Sequence, residues 1–510
     1  MKALITGGGI GGTVAAMALQ KAGIEPVIFE AYGPSSEGVG AFLTLAVNGL
    51  QALQTVGVGR SKLRGAIDTS RMALELGSGR RLIEFDSGPR LADGTVCQTV
   101  RRGDLYGALR DEAIRRGIRV AYGKRLVGAD SLPGGVVATF ADGTSAAGDL
   151  LIGADGLRSR VRRLIDPHAP EARYVGLLNA GGYARGVDVG GPPGTIHFVF
   201  GKRCFFGYVQ SPSREVWWFA NPGRAKEPTR AELAAITADQ WRTLLLDLFE
   251  CDATPAADLI RATPTVFRGW NTYDFPTVPD WHRGRLIIIG DAAHAASPAS
   301  GQGASMAIED AVVLAKCLRD VPGIEAAFAA YEALRRERVE RVVAHGKRNG
   351  NGKAPGPIGR VIRDLALRMV FRRGSQPLGA MRWLFEHHID WETPVAASAL
   401  ETRVGDRDAG ACRAVSFAPR REFSASGRLR YRDRFTRGRA HETHRDLHRP
   451  VHPRRRGGCW RPGMGVARAK AQGRRADPRA KRSGAGSCGP TRAQDAAPAT
   501  GPPRATPRAR

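Results

Sequence analysis

The chain has 510 residues, 42% of them hydrophobic, enough to bury more than one core and to divide into two or more domains. Its net charge of +28 is unevenly placed: residues 401–510 hold 28 Lys plus Arg against 9 Asp plus Glu, and the first 400 residues hold 49 against 40. The excess therefore belongs largely to a tail and does not make the whole chain a nucleic-acid binder. No run of about 18 apolar residues marks a membrane span. A glycine-rich motif at Gly7 leaves no room for a signal peptide. The seven cysteines form no CxxC pair, which argues against a disulfide framework or a zinc-thiolate site. A cytoplasmic protein with no metal site and no membrane partner is expected.

Over residues 1–395 the pattern is α/β. "KALIT" predicts a buried strand over Lys2 to Thr6, followed by Gly7-x-Gly9-x-x-Gly12 and the helical stretch "GTVAAMALQKAG". "PVIFE" predicts a second strand ending at Glu30, 18 residues past Gly12. That is the context of a dinucleotide fingerprint. Gly7 allows the tight turn, Gly9 lets the backbone approach a pyrophosphate, and Gly12 lets helix and strand pack closely. The helix N-terminus offers N–H groups to the phosphates. Glu30 accepts from ribose hydroxyls and repels a 2′-phosphate, which leaves FAD or NAD.

Next, "GDLYGALRDEAIRRG" predicts a helix, and "LLIGADGLRSRVRR" a strand, then Asp155-Gly156, then a short helix carrying Ser159 and Arg162. Asp155 suits either a ligand contact or a helix cap. Residues 178–222 hold the aromatic runs "TIHFVFG", "RCFFGYVQ" and "EVWWFAN", the pattern of an antiparallel sheet. A helical segment covers 230–249. "RLIIIG" predicts a strand ahead of "GDAAHAASPASGQGASMAIEDA", whose last half opens a long helix, and further helices fill 322–345 and 357–388. Asp291, His294 and the serines here are residue types of a hydrolase or a metal site, but His294 reads better as a packed or hydrogen-bonded scaffold residue. After about residue 400, Leu, Ile, Val and Phe number 9 in 110 residues, the composition of a disordered basic extension.

The three motifs, a GxGxxG, a middle "DG" and a late "GD", stand in the order and spacing of a known family. The chain resembles the FAD-dependent aromatic hydroxylases, single-component flavoprotein monooxygenases with a para-hydroxybenzoate hydroxylase-like fold. The resemblance implies an α/β architecture: a Rossmann-like FAD-binding domain (1–72, 96–175 and 265–320) interleaved with an antiparallel-sheet substrate domain (73–95 and 176–264). C-terminal helices (321–395) and the tail (396–510) follow.

It further implies that Gly7, Gly9, Gly12 and Glu30 hold the ADP half of FAD. Arg102 reaches the pyrophosphate region, the backbone at Leu126 meets the adenine, and Asp155 lies in the motif linked to both FAD and the nicotinamide reductant. Asp291 holds the ribityl chain, while Pro298, Gly301 and Gly303 shape the space for the flavin ring. Ser305, where relatives often have asparagine, and the absence of an arginine after Glu30 depart from the family pattern.

NAD(P)H and O2 are the implied co-substrates. A flavin hydroperoxide is implied to hydroxylate or epoxidise an aromatic or polycyclic molecule, so no side chain is assigned as acid, base or nucleophile. His197, Phe205, Tyr208 and Trp217 are candidates for the substrate wall, with core packing the competing reading for each. Alternation allows only one of Trp217 and Trp218 to face the pocket. A halogenase of the same fold lacks its tryptophan–x–tryptophan signature and matching lysine here, an NAD-dependent dehydrogenase leaves the second and third motifs unused, and a non-catalytic basic binding protein rests on the tail alone.

Overall fold

The computed structural model describes residues 1–34, 41–275, 277–350, 353, 356–372 and 377–395. The expected disorder of the tail falls on residues outside these. Among the described residues no helix is long and apolar enough to cross a membrane.

One layer is a six-stranded sheet in the order His282–Arg283, Leu286–Ile288, Leu150–Gly153, Lys2–Thr6, Glu25–Phe29, Arg119–Ala121. All pairings are parallel except the outermost one of His282–Arg283. Leu4 sits between Leu151 and Val27, and Ala3, Leu4 and Ile5 are fully buried. Their unbroken apolar run follows from cover on both faces. The helix Ile10–Lys21 packs on this sheet and against the long helix Gly303–Asp320, which packs in turn on Ile324–Gly350.

The second layer is a seven-stranded sheet in the order Trp270–Asp274, Arg173–Ala184, Val216–Asn221, Phe205–Gln210, Thr195–Phe200, Arg71–Leu76, Arg81–Asp86. It departs from the fully antiparallel expectation at one pairing: Thr195–Phe200 runs parallel to Arg71–Leu76, with Phe198 opposite Leu74. A parallel pair needs a long connection, and the chain between residues 76 and 195 provides it. Trp270–Asp274, placed by the sequence in the dinucleotide part, is this sheet's edge strand.

Helices Arg230–Ala235, Ala238–Phe249 and Ala256–Arg261 belong to the core that covers one face of this sheet. The first two start on full capping boxes, Thr229 with Glu232 and Thr237 with Gln240, which satisfy otherwise orphaned amides. Under them, Phe206 meets Phe249 with ring centroids 5.1 Å apart, and the Trp218 indole donates to Thr263 Oγ1 at 2.7 Å.

Candidate flavin and substrate site

The glycine turn has the geometry its residues require. Gly7 has φ +96°, a region closed to ordinary side chains, and a Cβ on Gly12 would lie 1.9 Å from the Gly7 carbonyl oxygen. The helix Ile10–Lys21 starts behind Gly9 with no side-chain cap and no acid in its first turn. Its leading amides and positive dipole end are thus available to an anion.

The Gly8 amide is used differently: it donates to Glu30 Oε2 at 2.6 Å, while Tyr32 N donates to Glu30 Oε1 at 3.0 Å. The Glu30 backbone carbonyl accepts from Lys124 N at 2.8 Å. Two residues on, Leu126 pairs with Phe140, whose ring stacks on Phe29 at 4.6 Å. Gly7, Gly9, Gly12, Glu30 and the strand start at Leu126 thus share one neighbourhood.

Arg102 opens the helix Arg102–Arg115 and donates to Tyr106 Oη at 3.2 Å. That tyrosine ring lies 3.5 Å from where a Cβ on Gly9 would stand, so Arg102 belongs beside the turn. Asp291 follows Gly290, which turns the chain at φ +59°, and is solvent-exposed at the start of a short helix. The Arg102 guanidinium lies close enough for its positive charge to favour the Asp291 carboxylate. The 3-10 turn Pro298–Ser300 ends at Gly301, φ +64°. Neither Gly301 nor Gly303 has an atom within 4 Å of a built Cβ, so the space above both is open. The helix Gly303–Asp320 also begins without a side-chain cap or first-turn acid.

Asp155 does cap a helix. Its Oδ2 accepts from Arg160 N at 2.7 Å and Val161 N at 3.2 Å, and Ser159 Oγ accepts from Arg162 N at 2.9 Å. Its Oδ1 is buried without a hydrogen-bond partner among the described residues, and burial pushes the carboxyl up. Ser305 is also occupied: its Oγ accepts from Ala46 N at 3.3 Å and fills the space over Gly49.

The four candidates for the substrate wall do not share a face. Phe205 and Trp217 lie on the side away from the covering helices, among Phe42, Phe198, Phe219 and Tyr183. Ring centroids there are 5.7–6.3 Å apart, from Tyr183–Trp217 to Phe198–Phe219. Phe42, Tyr183, Phe198 and Phe219 are only half-buried, so the face opens on a space. His197 and Tyr208 are on the opposite face with Trp218, stacked on each other at 4.4 Å, and His197 Nδ1 meets Glu75 Oε1 at 3.1 Å. Alternation explains the split: Phe205 and Tyr208 are three residues apart, and His197 is the register partner of Tyr208.

Residues 1–345 match the family model of the FAD binding domain. The chain belongs to the FAD-dependent aromatic hydroxylase family. This flavoprotein monooxygenase is 32% identical over 370 residues to aurachin C monooxygenase/isomerase of Stigmatella aurantiaca, covering 72% of this chain and 94% of that one. It is 34% identical over 352 residues to an FAD-dependent urate hydroxylase of Klebsiella pneumoniae, covering 67% and 88%. The crystal structure of Klebsiella pneumoniae HpxO complexed with FAD and uric acid is similar at a TM-score of 0.66 and 28% identity, over 75% of this chain and 97% of that one.

In the monooxygenase a buried ionic cluster, which motif reading does not find, holds the late motif in place. Asp310 Oδ2 accepts from the Gly290 amide at 2.9 Å and from His294 Nε2, and Oδ1 accepts from Arg335 Nε at 2.8 Å. Glu309 accepts from Arg335, Arg338 and Asn48. Glu309, Asp310 and Arg335 are fully buried. His294 is therefore scaffold, with its ring 5.6 Å from Trp281. The sequence signal was two adjacent acids inside the apolar helix pattern "SMAIEDAVVLA".

Proposed function

We propose that this FAD-dependent monooxygenase takes electrons from NAD(P)H and inserts one oxygen atom of O2 into a flat aromatic or polycyclic small molecule. The observation that carries this reading is the one-sided aromatic face of Phe42, Tyr183, Phe198, Phe205, Trp217 and Phe219, open where the opposite face is sealed by helices. Flat apolar walls with few polar groups suit such a ligand. The names of the relatives, a urate hydroxylase and an aurachin C monooxygenase, agree with it.

The residues present fit FAD. Uncapped amides behind Gly9 suit an anionic pyrophosphate, the unmatched Asp155 Oδ1 suits a hydroxyl donor, and the open space over Gly301 and Gly303 suits a flat ring. Gly7, Gly9, Gly12 and Glu30 would hold the ADP half, with the backbone at Leu126 beside the adenine and Arg102 at the pyrophosphate. Asp291 would hold the ribityl end, Asp155, beside the Gly7 turn, would serve FAD and the nicotinamide reductant, and Pro298, Gly301 and Gly303 would shape the space for the ring. FAD, when bound, supplies the electron transfer and the activation of oxygen. The chain supplies position, exclusion of water, and the positive end of the helix Gly303–Asp320, which favours negative charge near its first turn. Phe205 and Trp217, themselves buried, back the half-buried wall of Phe42, Tyr183, Phe198 and Phe219; His197 and Tyr208 serve the packing on the other face.

The test is purification followed by a screen of aromatic compounds. A yellow protein whose NAD(P)H consumption rises with a compound that becomes oxygenated is the expected result. A protein that takes up no FAD would sink the reading.

A further inference from the structure

One end of the aromatic face carries a cation that the cofactor residues do not use. Lys353 is 9% exposed, with Nζ 4.4 Å from the Phe205 ring centroid and 5.8 Å from that of Phe219. It donates to Asn221 Oδ1 at 2.8 Å. Asn221 Nδ2 donates to Asn179 Oδ1 at 2.5 Å, and Asn179 Nδ2 to Thr272 Oγ1 at 2.8 Å, so the oxygen facing the lysine is fixed by a chain of amides. Among the described residues no carboxylate lies within ion-pair range of Nζ.

A lysine with a merely structural role extends its ammonium to water or to an acid. Lys353 does neither. A buried unpaired charge is costly, and ring faces return only part of that cost. Its three donors include more than Asn221 uses.

Its place in the chain follows a helix end that packs on the turn proposed to hold the flavin ring. The helix Ile324–Gly350 ends against the turn before Gly301: Asn349 Nδ2 donates to Ala299 O at 3.5 Å, and a Cβ on Gly346 would lie 3.0 Å from Ser300 Cβ. Lys353 follows that helix end by three residues. Three residues of chain span at most about 10 Å, so the Lys353 backbone lies within that reach of the helix end that packs on the turn at 298–301, at the end of the aromatic face opposite the Arg101 that covers Tyr183 and Trp217.

We propose that Lys353 recognises a negatively charged oxygen, a carboxylate or an ionised ring hydroxyl, on the edge of a planar aromatic substrate lying against Phe198 and Phe219. This rests on the aromatic face being the substrate site. Desolvation lowers the Lys353 pKa to about 8. The Cys204 thiol, itself pushed up by burial, is the titratable group that faces it. Asp252 and Arg363 lie around the neighbouring Gly201, and His345 and Arg348 lie back along the helix. The ammonium is present below that pH and lost above it, so capture of an anion weakens as pH rises through about 8.

The holoenzyme is titrated with 2-naphthoate and its neutral isostere 2-naphthamide, following tryptophan fluorescence and flavin absorbance. Wild type is expected to bind naphthoate about tenfold more tightly near neutral pH, a difference of one decade in Kd. That preference should decay through about pH 8. Lys353→Met should lose the preference and keep naphthamide affinity and bound FAD; Lys353→Arg should keep naphthoate binding and move its decay to higher pH. Equal affinities in wild type, or an undiminished preference in Lys353→Met, overturn the anion anchor and leave the face standing. If Lys353→Met fails to fold, the Lys353→Arg pH profile decides, and an unmoved profile overturns it. Binding of neither probe, or titrations unchanged by Phe219→Ala, overturns the face as substrate site and this inference with it.

Discussion

Two residues of the cofactor region separate binding from folding. Asp291 is exposed and opens a short helix, so its truncation leaves no buried group unpaired. Asp291→Ala should change stability by no more than about 0.5 kcal/mol while lowering retained FAD. Flavin per chain after gel filtration measures this, and wild-type content would refute the clasp. Gly12→Ala is the opposite case, because its methyl would stand 1.9 Å from a backbone oxygen that nothing can move cheaply. Lower melting temperature and lost FAD should appear together. At this scale the sequence was most legible where backbone geometry dictates residue type, as at Gly7 and Gly301. It was least legible on the aromatic strands. Parity alone separates Phe205 from Tyr208, but placing His197 needs its register with Tyr208, a long-range fact.

Among the elements, the pair Gly303–Asp320 and Ile324–Gly350 is tied by the ion cluster around Arg335. Arg335→Met removes the partner of two buried carboxylates, and losses of about 3–5 kcal/mol are usual for such a cut. Urea unfolding should register it, with flavin retention falling as the Gly290 turn loosens. The same cluster sets a pH dependence. The charges of His294 and Arg335 hold the Asp310 carboxyl below its ordinary range, and those of Arg335 and Arg338 do the same for Glu309, in both against desolvation. A depressed folded-state pKa contributes stability above the unfolded value of about 4 and loses it as pH falls through the folded range. Wild-type melting temperature should therefore fall steeply below about pH 4, and Arg335→Met should show a shallower acid limb; parallel limbs would assign acid sensitivity elsewhere. Capping boxes and apolar periodicity made the helices legible. The cluster was not, because its acids and arginines are 25 or more residues apart and their pairing is visible only once the helices pack.

For the whole molecule, the last described segment is part of the core. The Trp391 ring receives Arg319 at 4.5 Å and Lys21 at 4.8 Å, and Leu384, Phe385 and Ile389 are buried with it. Ending the chain after Leu400 should preserve FAD binding and melting temperature, since the family match and the packed core lie before it. Ending it before Trp391 should lower the melting temperature by several degrees. A loss of FAD in the longer truncation would give the basic segment a structural role. The presence of a parallel sheet and of an aromatic-rich second sheet was readable from the apolar and aromatic runs, while the parallel entry of Arg71–Leu76 was not, because a crossover leaves no local mark in sequence.

The two sides of the seven-stranded sheet answer to different pressures. Alternate residues on the same strands serve the helix-packed side and the open side, so a substitution at Phe198 or Phe219 need not disturb Val199 or Trp218. Such a sheet can be re-tuned one side at a time, so changes of shape on its open side leave the helix-packed side, and the stability it carries, in place.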